Sequence, residues 1–165
     1  MKSDFVKAAI AALMFGVPTT GFAQDSGIEV GSQAPPAAVE ALDGTPVDLS
    51  QYIGKGPVVI EFWATWCPNC KALEPQFQSA MQKYGSKVKF IALAVSVNQS
   101  LERVKAYRDA HAMKQEVLFD RKGNATGSYE APATSYIVVI DAKGKVVYTG
   151  VGAEQNLDAA IKKAL

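Results

Sequence analysis

The stretch Pro57-Val58-Val59-Ile60-Glu61-Phe62-Trp63-Ala64-Thr65-Trp66-Cys67-Pro68-Asn69-Cys70-Lys71 decides the fold. From Pro57 to Trp63 every residue but Glu61 is apolar, the pattern of a strand covered on both faces. At Pro68 the period changes. Cys70, Leu73, Phe77, Met81 and Tyr84 recur at three- and four-residue steps, one apolar stripe on a helix that Gly85 ends. Pro68 suits the first helical position, where its missing N–H costs nothing. Pro75, inside the helix, removes one backbone hydrogen bond and predicts a kink. A buried strand that feeds an amphipathic helix points to an α/β fold.

The same alternation continues outward. Residues 88–95 read as a second buried strand, 100–112 as a helix, 117–119 as a short strand, and 120–127 as a polar loop or single helical turn. Residues 136–140 form a third strong strand, and Asp141-Ala142-Lys143-Gly144 is a hairpin turn into 145–148. A helix over 154–165 closes the chain, with Leu157, Ile161 and Leu165 at four-residue steps. Upstream, residues 24–37 are a lead-in without regular structure. Asp43-Gly44 marks a turn, followed by a short edge strand around Val47 and Leu49. Without repeats or linkers, residues 24–165 make one domain of ordinary size.

Composition narrows the chemistry. Of 165 residues 48% are hydrophobic and 20% charged, which is globular rather than disordered. The net charge of +1 offers no electrostatic footprint for nucleic acid. Two cysteines and one histidine exclude a four-ligand Cys/His zinc site and a multi-disulfide scaffold, and no metal site is expected. Residues 1–23 read as an export signal: Lys2 and Lys7 precede an apolar run, and Gly21 and Ala23 are the small residues read before cleavage at Gln24. Its removal takes two lysines and one aspartate and leaves a neutral, soluble, periplasmic protein. In that oxidising compartment a close thiol pair tends toward a disulfide.

Cys67 and Cys70 lie where the strand gives way to the helix, against unpaired N–H groups and the positive end of the helix dipole. A thiolate there is stabilised, which makes Cys67 the expected accessible nucleophile. Cys70, on the same first turn, then resolves the mixed disulfide. A bare two-residue spacing is equally compatible with a structural disulfide or half of a zinc site; the strand and helix context and the shortage of other ligands favour the redox reading.

The segment from Glu61 to Lys71, with Pro75 downstream, resembles the active-site segment of the thioredoxin superfamily. The extra helix between Val95 and Val117, the export signal and the turn at 140–145 are similar to its exported TlpA/ResA-like branch. The resemblance covers roughly residues 30–165. It implies a thioredoxin-like fold, a central mixed β-sheet flanked by helices, with a strand–helix insertion before the C-terminal hairpin. It also implies thiol–disulfide exchange with protein substrates, with the Cys67–Cys70 disulfide itself as the redox carrier and no separate cofactor.

Glu61 stands where thioredoxins carry a buried acid. Among apolar neighbours its carboxyl should resist ionisation and could exchange a proton with Cys70. Trp66, Pro68 and Asn69 are assigned to the surface around the sulfurs, and Trp63 to the core. The superfamily places a cis-proline beside the cysteines; here gap-free spacing from Tyr129 to Asp141 puts Ser135 there, with Pro132 three residues early. Either Pro132 is cis and the following strand is lengthened, or Ser135 replaces it after a trans bond, since a cis bond before a non-proline costs ~2.5–4 kcal/mol. Ser135 is favoured, with Thr134 beside it offering backbone hydrogen bonds to an extended substrate. His111 is read as a helix C-terminal residue.

The resemblance suggests the reducing direction, on substrates such as apocytochrome or copper-site proteins, with electrons from a membrane redox donor. Two alternatives are a thiol peroxidase, disfavoured because Ala64 stands where such enzymes carry Thr, and a copper-binding assembly factor of the same fold, disfavoured by the narrow cysteine spacing.

Overall fold

The computed structural model describes residues 27–165; the export signal and its cleavage position lie outside them. In chain order the elements are β1 (Ala38–Ala41), β2 (Pro46–Asp48), a 3-10 turn (Leu49–Gln51), β3 (Val58–Trp63), α1 (Pro68–Tyr84), β4 (Lys89–Val95), α2 (Leu101–Ala110), β5 (Glu116–Asp120), α3 (Asn124–Ser128), β6 (Tyr136–Ile140), β7 (Val146–Val151) and α4 (Leu157–Lys162). The strands form one sheet in the order β2-β1-β5-β4-β3-β6-β7. β3, β4 and β5 run parallel, and the outer pairings are antiparallel. This is the mixed sheet that the resemblance implied, with α2 and β5 as the insertion.

The continuous apolar run of β3 has its reason in this order: β3 sits between β4 and β6, and all six of its residues are buried. Its alternation divides the core. Val59 joins Leu73 and Phe77 of α1, Ile137 and Val139 of β6, and Leu157 and Ile161 of α4 on one face. Val58, Ile60 and Phe62 join Tyr129, Tyr136 and Val138 on the other. Phe77 meets Phe90 edge-on with centroids 5.4 Å apart, a favourable aromatic geometry.

Several boundaries differ from the sequence expectations. The lead-in contains β1, which pairs with both β2 and β5; only Val39 of its four residues is fully buried, so no local alternation announced it. The short edge strand is β2, and Leu49 begins the 3-10 turn, which the Asp48 carboxylate caps by accepting from Ser50 N. α1 continues through Pro75. α2 is shorter than 100–112, with Ser100 as N-cap and His111 as C-cap. The loop alternative at 120–127 gives way to the helical turn α3, tied by the buried Asp120 carboxylate to Ala125 N and to Thr126 N and Oγ1. α4 starts three residues later than expected because Gln155 turns inward and Asn156 caps the helix instead. At the 141–144 turn Gly144 has φ +83°, and a Cβ there would lie 2.8 Å from Ile53 Cγ2.

Candidate active site: the cysteine pair and the cavity behind it

The carboxyl end of β3 delivers the chain to the site. Ala64, Thr65 and Trp66 connect it to α1, and the connection is tied to the end of β4: Gln99 Oε1 accepts from Thr65 N at 2.9 Å, and Gln99 Nε2 donates to Val95 O. Trp66 Nε1 donates to Val97 O at 2.9 Å. Two adjacent parallel strands thus hold the loop from both sides, at the end of an open sheet where α/β folds place their chemistry.

Cys67 is the N-cap of α1, and its Sγ accepts a hydrogen bond from Cys70 N at 3.0 Å. Cys67 and Cys70 form a disulfide with Cα atoms 5.3 Å apart, inside the usual range for such a bond. A sulfur in the capping position has helix N–H groups aimed at it, the arrangement that favours its anion. The expected accessibility of Cys67 is not met in this disulfide-bonded state. Cys67 is 1% exposed and Cys70 7%, whereas Trp66, Pro68 and Asn69 are exposed. The reason lies in the cap: the side chain that accepts from Cys70 N and bonds the Cys70 sulfur is turned in over the first helical turn.

Behind Cys70 lies a cavity of about 20 Å³ lined by Glu61, Trp63, Cys70, Glu74, Tyr107 and Gln115 among others. Glu61, in β3 opposite Ala92 and Ile137, is 7% exposed, and burial pushes its carboxyl up to about 8, with the Glu74 carboxylate pushing the same way. Trp63 is buried and packs against Tyr107 at 5.3 Å. Tyr107 in turn stacks on His111 at 3.8 Å. The structure places Glu61 and Cys70 on the same cavity and adds Glu74, Tyr107 and Gln115, which the sequence reading missed. For Glu74 a signal existed: it follows Cys70 by four residues and so shares its face of the helix.

Ser135 is fully buried at φ +66°, directly before β6. Its N–H donates to Phe62 O at 2.8 Å, extending the β3–β6 ladder toward the cysteine end, and its Oγ donates to Gly152 O at 2.8 Å. Gln155 Nε2 donates to Ser135 O and to Gly152 O, closing the corner. Pro132 is exposed, no peptide bond among the described residues is cis, and β6 is not lengthened back toward it. Ser135 rather than Pro132 therefore occupies the strand-start position. Thr134, half-buried, precedes it.

A thioredoxin-like fold with a cysteine pair at the start of the helix that follows the buried strand β3 defines a thiol–disulfide oxidoreductase. Within that class the chain belongs to the Redoxin family, whose sequence profile matches residues 29–165. It is 32% identical over 143 residues to the thioredoxin-like protein YneN of Bacillus subtilis (strain 168), covering 82% of each chain. It is 30% identical over 145 residues to the thiol-disulfide oxidoreductase ResA of Bacillus anthracis, covering 86% of this chain and 82% of that one. Among solved structures, the putative thiol:disulfide interchange protein DsbE from Chlorobium tepidum superposes with a TM-score of 0.73 at 25% identity, covering 83% of this chain and 98% of that one. A putative thioredoxin from Neisseria meningitidis shares the fold, with a TM-score of 0.69 at 23% identity over 81% of this chain and 90% of that one.

Proposed function

We propose that the protein is an exported reductase of protein disulfides, with Cys67 as nucleophile, Cys70 as resolving thiol and Glu61 as proton partner of Cys70. The capping hydrogen bond from Cys70 N to Cys67 Sγ carries this reading, because it marks Cys67 as the sulfur whose anion the helix stabilises. In the reduced protein the Cys67 thiolate attacks a substrate disulfide. A Cys67–substrate bond forms, and the first substrate sulfur leaves with the electron pair and takes a proton from water. Cys70 then passes its proton to the Glu61 carboxylate and attacks Cys67 Sγ, forming the Cys67–Cys70 bond and releasing the second substrate sulfur. The substrate gains two electrons and the pair loses two, so no dissociable cofactor is needed. A membrane redox donor restores the dithiol.

Trp66, Pro68 and Asn69, exposed around the sulfurs, form the contact surface, and the Thr134–Ser135 segment beside Phe62 docks the extended substrate chain. Cys67 is covered in the closed pair, so the donor must displace that cover when it re-reduces the disulfide. The likeness to proteins called thiol-disulfide oxidoreductase ResA supports disulfide exchange, and the resemblance to the exported TlpA/ResA-like branch points to oxidised apocytochrome or copper-site cysteines as substrates. The test is equilibration of the pair with glutathione and dithiothreitol buffers, alongside reduction of insulin and of an oxidised apocytochrome peptide. A potential well below the glutathione range with turnover of both substrates is expected. A potential near that of the strongest oxidants would reverse the direction.

A further inference from the structure

The cavity behind Cys70 contains more polar groups than a single acid and thiol require. Trp63 Nε1 is a buried donor without a partner, and Gln115 Oε1 is a buried acceptor without one. Both residues line the cavity. Two carboxyl groups face the same space: Glu61 from β3, almost wholly buried, and Glu74 from α1, half-buried at the rim. A cavity of about 20 Å³ admits one water, provided that it finds two to four polar partners. Here the count closes. A water there would accept from Trp63 Nε1 and from protonated Glu61, and donate to Gln115 Oε1 and to the Glu74 carboxylate.

We propose that Glu74 is a positioning residue of the redox site, which through its charge and this one water holds at Glu61 the single proton that Cys70 gives up and takes back. The inference rests on the exchange chemistry proposed above. With the disulfide closed, Glu61 holds the proton, because its burial and the neighbouring Glu74 charge both disfavour its anion. When a donor thiolate attacks Cys67, the Cys67–Cys70 bond breaks, the Cys70 sulfur leaves with its electron pair, and the proton moves from Glu61 to that sulfur. Resolution runs the same transfer backward. Burial first, and then the Glu74 charge, keep Glu61 basic enough to match a thiol, whose ordinary value is ~8.5, and transfer between matched groups is efficient. The other titratable groups facing the cavity are Cys70 and Lys71 on α1 and Tyr107 on α2; Ala92 and Ile137, the β4 and β6 residues in register with Glu61, are neutral.

The test compares the intact oxidised protein with Glu74→Gln. Carbon-13 NMR reads the Glu61 carboxyl titration, and single-turnover release of an insulin mixed disulfide reads the pH profile of resolution. Glu74→Gln should lower the Glu61 midpoint by about one pH unit, since a like charge has been removed nearby, and the resolution profile should move down with it. Glu74→Asp should keep both near their wild-type positions. A Glu61 midpoint unchanged in Glu74→Gln, with exchange intact, would overturn the proposal. If the wild-type protein failed to exchange disulfides at all, the functional reading would fall, while the NMR titration would still decide whether the two carboxyl groups are coupled.

Discussion

A single hydrogen bond, from Cys70 N to Cys67 Sγ, separates the roles of two otherwise identical side chains. In the reduced protein it should hold the Cys67 thiol below the ordinary range of a free cysteine, which alkylation rate against pH would measure. Cys67→Ser should abolish insulin reduction. Cys70→Ser should instead accumulate a covalent adduct with substrate, visible by non-reducing electrophoresis and mass spectrometry, because nothing remains to release the bond at Cys67. Equal adduct formation by both variants would assign the two sulfurs interchangeable roles. At this scale the sequence was informative where chemistry is local: the pair, Glu61 and the exposed Trp66 could be read from their neighbours. Concealment of Cys67 could not, because it follows from how the side chain turns in over the helix rather than from residue type.

Between elements, the corner joining β6, β7 and α4 depends on Gln155. Its amide spans Ser135 O and Gly152 O, and Ser135 in turn carries the last rung of the β3–β6 ladder. Gln155→Ala should leave the buried Ser135 carbonyl with one partner fewer and cost about 1–3 kcal/mol in urea unfolding. Faster amide exchange at Ser135 and Gly152 should accompany the loss, whereas a variant as stable as wild type would show that the corner holds without this amide. Legibility fell off at elements made by distant partners. β3, α1, β4 and β6 carry their own periodicity and were readable. β1 exists because β2 and β5 flank it, and the late start of α4 exists because Gln155 is engaged twenty residues back along the chain. Neither cause is visible in a local window.

Across the whole molecule, the buried acid ties stability to pH. Glu61 keeps its proton in the folded oxidised protein up to about pH 8, whereas an ordinary glutamate releases it near 4.5. Between those values the folded state binds more protons than the unfolded one. The contribution of this group is therefore fully present below about pH 4.5 and is lost as pH rises through about 8. Glu61→Gln should match the wild-type unfolding free energy near about pH 4 and exceed it near about pH 9, by a margin on the order of 2–4 kcal/mol. Equal stability at both pH values would mean that the carboxyl is already ionised. Asp158 acts in the opposite sense at the far end of α1. Lys162, Lys83 and Tyr84 hold its carboxyl well below the usual range, so its support is lost only as pH falls into strong acid.

Both tryptophans of the chain, Trp63 and Trp66, flank the cysteine loop within four residues of Cys67. An excited indole readily loses an electron to a nearby sulfur–sulfur bond, so emission should be dim while that bond is closed and brighten when it opens. The protein thus carries its own optical gauge of electron occupancy, with one emitter in the interior and the other at the surface, and turnover could be followed without any added dye.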